Sequence, residues 1–270
     1  MLNEAKRVVI ALLHVHIEKE IAVSPLKSPY GSIIFSKALA PDQLGQFISF
    51  VETKLKSRGA KKLTLKNPPE IYGPAESECL KSTLAAAGYK SQVELSAVIP
   101  ITKKAFESDL HESEQKRLRK CKNAGLTFKQ FGLDNFSIVY QFLKTCREQK
   151  EYSLSMSHEE ILRVINVFPD AFFLTGVMDN DRLVAANISI QVNARVLYNF
   201  YHGHDAAYDA FSPVVLLNKG LYRLCQDRKL ELLDLGTSQI DGKLNESLFS
   251  FKLKLGANVS NKFTFVKSLA

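Results

Sequence analysis

The stretch "LNESLFSFKLKLG" at residues 244–256 holds a lysine in an unusual place. Lys252 stands one position around from an apolar helical stripe of Leu248, Phe251 and Leu255, and Gly256 ends the run. Its alkyl stem can be buried while its ammonium reaches the rim of a cleft. There it would neutralise a phosphate or the oxyanion of an acyl transfer. The competing reading is an ordinary snorkelling lysine, and periodicity alone favours that one.

Four further features carry chemistry. In "HGHDAAYDAFSP" (202–213), His202 and His204 alternate about Gly203, so both point to one side of an extended chain and could move a proton. No third ligand stands at metal spacing, and the pair reads as polar residues at a strand end. Ser212 before Pro213 reads as a capped helix start, which is either a cap alone or an anion site for a pyrophosphate. Asp234 closes the strand "LELLDL", where α/β folds place binding groups. It could accept a proton from an amine nucleophile or cap the following loop. The run "EQKRLRKCKNAG" (114–125), with Arg117 and Arg119, could clamp phosphate or RNA. No aromatics interleave it, and such runs are usually solvated faces.

Other classes are excluded. The chain has no GxSxG, HExxH, P-loop or dinucleotide-binding glycine pattern. The four cysteines form no CxxC pair, so metal-ligand spacing is absent and reduced thiols are expected. The apolar segment "KRVVIALLHVH" is too short and too interrupted for a signal or a membrane span, which suggests a cytoplasmic protein. A net charge of +8 favours an anionic partner or simply a basic soluble protein.

The elements that must position these residues follow from periodicity. A strand is expected over 7–16, a helix over 41–58 closed by Gly59, a strand over 61–67, a helix ending at Gly88 and a strand over 91–101. The same order returns with a helix from Pro213 to about 228, a strand over 230–235, the helix bearing Lys252, Gly256 and a strand over 260–267. The copies lie about 170 residues apart and repeat in order of elements rather than in identity. Between them come a basic helix (104–124), a strand at 126–131, two helices within 134–167 and strands at 171–179, 182–192 and 195–203. The expected architecture is α/β with two tandem units, 1–100 and 101–270, the first truncated.

Four segments then carry a resemblance: Ser28-Pro29-x-Gly31, "KRLRKCKNAGL", Asp234-Leu235-Gly236 and Phe251-Lys252-x-x-x-Gly256. In this order they resemble the Fem-type transferases, the peptidoglycan aminoacyl transferases of the bacterial cell wall and their relatives within the GNAT superfamily. The resemblance implies two GNAT-like domains of mixed, mostly antiparallel sheets flanked by helices. It also implies transfer of an acyl group to an amine acceptor. The donor is an acyl-CoA or an aminoacyl-tRNA, undecided between them, with no metal. Phe251 and Lys252 fall at the family's acyl-donor site. Lys252 and Asp234 are then the expected catalytic residues, with Phe251, Tyr201, Ser212 and Val214 around the donor and His202, Arg117 and Arg119 toward the substrate. The GNAT coenzyme A loop is missing before residue 213. The alternative is a noncatalytic anion- or RNA-binding protein that keeps the tandem fold, with its oligomeric state open.

Overall fold

In the computed structural model, residues 1–3, 7–240 and 242–269 are described. Their elements run β1 (Leu2–Asn3), β2 (Val8–Val9), β3 (Ala11–Leu13), β4 (His16–Glu18), β5 (Ile21–Ser24), β6 (Ile33–Phe35), α1 (Pro41–Ser57), β7 (Lys62–Pro69), α2 (Pro74–Ala86) and β8 (Lys90–Pro100). Then follow α3 (Glu112–Asn123), β9 (Thr127–Phe131), α4 (Phe136–Glu148), α5 (His158–Val167), β10 (Phe172–Asp179), β11 (Arg182–Gln191), β12 (Val196–His204), α6 (Pro213–Asp227), β13 (Leu232–Thr237), β14 (Gln239–Ile240), β15 (Lys243–Leu244), α7 (Glu246–Lys254) and β16 (Asn258–Ser268). The fold is mixed α/β, as expected. The single strand expected over 7–16 is instead broken into β2, β3 and the start of β4, because β2 pairs antiparallel with β1, β3 with β6 and β4 with β5.

The chain divides into two compact units, Met1–Leu95 with Ser260–Ala270, and Ser96–Val259. This corrects the expected boundary at residue 100. It also moves the last strand, because most of β16 pairs antiparallel with β7 and closes the first unit's core.

The repeat is visible in the backbone. Pro41 and Pro213 each open a helix at its first position, where a missing N–H costs nothing. Gly59 and Lys229 follow those helices with φ of 81° and 57°, and Gly88 and Gly256 follow the second helices with φ of 84° and 85°. Each is the left-handed residue that stops a helix.

In the first unit, Leu44, Phe47, Ile48 and Leu55 form the buried stripe of α1, and they pack on Leu63 and Leu65 of β7 and Phe265 of β16. Within the second unit the sheet order is β13, β12, β11, β10, β9, with Ser96–Pro100 beside β13. All neighbours in it are antiparallel except β12 and β13. Strand alternation separates two cores. Phe173, Val177, Ala185 and Leu197 face α3 and α6, while Phe172, Leu174, Ala186 and Ile188 face α4 and α5. Helix α6 lies so close to β9 that a Cβ at Gly220 would fall inside the Phe128 ring.

Candidate functional site

The two parallel strands of the second unit pair over three positions only: Val196↔Leu232, Leu197↔Leu233 and Tyr198↔Asp234. Beyond them β12 continues to His204 alongside β11, and β13 continues to Thr237, with no pairing between them. Two features make them diverge. The β11–β12 register shifts between Ile188 and Ser189, which bends β12. On the other side β13 bends at Gly236, whose φ of 72° suits glycine. Asp234 Oδ1 holds that bend by accepting from the Gly236 N–H at 2.7 Å and the Ser96 hydroxyl at 3.1 Å. Between the arms lies a wedge with strand edges on both sides.

Lys252 reaches into the base of one arm. Asn245 caps α7 by accepting from the Leu248 N–H at 2.9 Å, and its own N–H donates to the Ser238 carbonyl at 2.7 Å, which ties the helix start to the end of β13. Nearly two turns on, Lys252 Nζ donates to the carbonyls of Gly236 at 3.1 Å and Thr237 at 2.8 Å. It is the buried residue of its helix, 4 % exposed, so the ammonium is inside the protein rather than at a rim. Burial pushes its pKa down from 10.5 to about 8; the Asp234 carboxylate opposes that and the Arg147 charge adds to it. An ammonium has three N–H groups, and among the described residues the third meets no acceptor. Among the described residues the neighbouring Ser238 hydroxyl is also buried without a partner.

The other arm carries a chain of buried amides. Asn187 Nδ2 donates to Asn199 Oδ1 at 2.6 Å and to the Tyr201 carbonyl at 3.0 Å, while Ser189 and Thr175 donate to Asn187 Oδ1. These four side chains are at most 4 % exposed. His202 Nδ1 lies 3.2 Å from Asn199 Oδ1. A carbonyl oxygen only accepts, so Nδ1 carries the proton and Nε2 presents a lone pair. Burial lowers the His202 pKa most, followed by Lys252, Arg147, His204 and Lys150, to about 3, and the ring is neutral at pH 7.

The remaining expected residues lie in three places. Phe251 is half-buried against the α3–α6 core, and Val214 is buried in the first turn of α6. Ser212 does not cap α6: its φ of 55° is left-handed and its hydroxyl reaches no first-turn N–H, so that helix start has no side-chain cap. Beside this start Lys120 donates to the Ala210 carbonyl at 2.7 Å and lies over the Phe211 ring. Tyr201 turns to the opposite face, where its hydroxyl meets the Ser155 hydroxyl at 2.6 Å and the Met156 N–H at 3.1 Å. The basic helix is largely neutralised, since Lys116, Arg117 and Lys122 pair with Glu112, Glu114 and Glu107. Arg119 is exposed. Asp234 is 1 % exposed, and of its two expected roles the hydrogen bond to the Gly236 N–H is the one at the loop, where it holds the β13 bend; its charge also acts on Lys252.

Sequence reasoning missed Arg147 and the amide chain. Polar residues at the alternate positions 187 and 189 of an otherwise apolar strand were the signal available for the amides. Among the described residues no three His, Cys, Asp or Glu side chains converge as a metal site, and no helix is long and apolar enough to cross a membrane.

Residues 114–244, which include both arms of the wedge, match the acetyltransferase (GNAT) domain family. No curated protein matches the sequence. Among solved structures the chain is similar to FemX, with a TM-score of 0.66 and 12 % identity over 88 % of this chain and 81 % of that one. It is similar to L-PGS of Bacillus licheniformis, with a TM-score of 0.66 and 12 % identity over 95 % and 80 %. A tandem GNAT protein from the clavulanic acid biosynthesis pathway gives a TM-score of 0.58 and 10 % identity over 98 % and 80 %. At these identities the likeness is one of fold, and it is the fold that the tandem reading expects.

Proposed function

We propose that the chain is a Fem-like N-acyltransferase whose acyl donor occupies the wedge between β12 and β13. The observation that carries this reading is the buried Lys252 ammonium, with one N–H to spare at the point where two parallel strands part. An unpaired strand edge can hold an extended donor chain by main-chain hydrogen bonds. The uncapped start of α6 suits the donor's phosphates.

In the reaction a neutral amine attacks the acyl carbon and its carbonyl oxygen becomes an oxyanion. The spare Lys252 N–H donates to that oxygen in a site poor in water, where a fixed cation acts most strongly. The oxyanion collapses, the bond to the leaving sulfur or oxygen breaks, and the amine's proton ends on the leaving group. With its pKa near 3, His202 is a weak base, so its Nε2 orients the amine by accepting one N–H and does not take the proton. An acyl-CoA thioester is the first donor to test, because the matched domain is of the GNAT type; aminoacyl-tRNA is the second.

The experiment is melting of the protein with acetyl-CoA, longer acyl-CoAs and aminoacyl-tRNA, paired with product formation over an amine panel. A donor at tens of dissociation constants stabilises by about 2 kcal/mol. Lys252→Ala is expected to keep donor binding within a few-fold and to lose transfer by roughly 10²–10³-fold. Absence of stabilisation by every donor, or full transfer by Lys252→Ala, overturns the reading.

A further inference from the structure

We propose that the amine acceptor also carries an oxyanion, a carboxylate or phosphate, and that Arg147 binds it; this rests on the acyl-transfer reading. Helix α4 brings Arg147 to the open arm of β12. A Cβ at Gly203 would lie 3.0 Å from Cys146 Cβ and 3.4 Å from Leu143 Cδ2, so the last turn of α4 packs against a position that only glycine leaves open. Arg147 follows Cys146, and His202 precedes Gly203.

Most other arginines of this unit already have partners. Arg117, Arg182, Arg195 and Arg223 pair with carboxylates, and Arg228 lies over the Phe173 ring. Arg119 and Arg163 are exposed to water. Arg147 is half-buried, and among the described residues no carboxylate pairs with it. A partly desolvated guanidinium left in this way is costly, and a planar oxyanion satisfies it with two parallel hydrogen bonds.

The surroundings agree. The Arg147 charge acts on both Lys252 and His202, and Lys150 adds to it at His202, while His204 is paired with Asp209 at 2.6 Å. The carboxylate acting on Lys252 is Asp234, whose Oδ1 already serves Ser96 and Gly236. The site therefore has a surplus of positive charge for an anion to meet. That anion belongs to the acceptor rather than to the donor, because α4 covers one face of the sheet while α6 and α3 cover the other.

The test follows the ring signals of His202 by NMR in the full chain with labelled histidine. Inorganic phosphate and, separately, acetate are titrated into wild type, Arg147→Gln and Arg147→Lys. The expected result is a saturable change in wild type, at least tenfold weaker in Arg147→Gln and intermediate in Arg147→Lys, which keeps the charge and loses the fork. A tighter response to phosphate than to acetate assigns a phosphate-bearing acceptor, and the reverse a carboxylate. No saturable change in wild type, or equal affinity in Arg147→Gln, overturns the proposal. Stabilisation by acetyl-CoA, measured on the same samples, tests the transferase reading by itself and should be unaltered in Arg147→Gln. Anion binding without donor binding leaves the site standing and removes the acyl transfer; donor binding without anion binding does the opposite.

Discussion

Replacing Lys252 by methionine should make the protein more stable at neutral pH while ending its chemistry. The Lys252 pKa falls from 10.5 in the unfolded chain to about 8 in the folded one. Keeping the buried ammonium charged therefore costs the native state about 3 kcal/mol. Because the folded pKa is the lower one, the unfolded state binds more protons between these values, and stability rises with pH there. The penalty is in full force below about pH 8 and gone above about 10.5. Methionine fills a similar volume without charge, but leaves the Gly236 and Thr237 carbonyls without their donor, at about 1 kcal/mol each. Lys252→Met is then about 1 kcal/mol more stable than wild type at pH 7 and about 2 kcal/mol less stable at pH 11, where a neutral lysine still donates to both carbonyls. Urea denaturation of both proteins at the two pH values reads this directly. If Lys252→Met is less stable by the same amount at both, the ammonium is not strained, and the argument that a functional cation is held at a cost fails.

Two further predictions concern the frame around the site. Lys229 ends α6 in the left-handed conformation that Gly59 adopts in the first copy, so Lys229→Gly should raise stability by about 0.5–1 kcal/mol, as the shift in denaturation midpoint will show. Gly220→Ala should lower stability by about 1–3 kcal/mol, because the added methyl must displace Phe128 and push α6 away from β9; thermal unfolding measures it, and an unchanged melting temperature would mean that the helix has slack.

Much of the fold was legible before any coordinate. Apolar stripes at helical spacing marked α1 and α7, the Ser212-Pro213 start marked α6, and the repeated order of helix, strand, helix, glycine and strand announced two related units. Local chemistry suffices for this, since a proline at a helix start and a glycine after its end act within one turn. Lys252 could be singled out because a lysine beside an apolar stripe breaks a pattern. The sequence could not say where its ammonium goes. The carbonyls that receive it lie 16 and 15 residues earlier, on a strand that bends only because Asp234 and Gly236 bond across the turn. The same limit hid Arg147, which on its own helix is an unremarkable last-turn cation and acquires a role only where Gly203 lets α4 close on β12. It also misplaced β16, which follows the second unit in sequence and completes the first by pairing with β7. Spacing along the chain fixed which residues share an element and a face. Pairing between distant strands decided which of those faces meet, which cations are left without partners, and where two parallel strands part to leave a wedge.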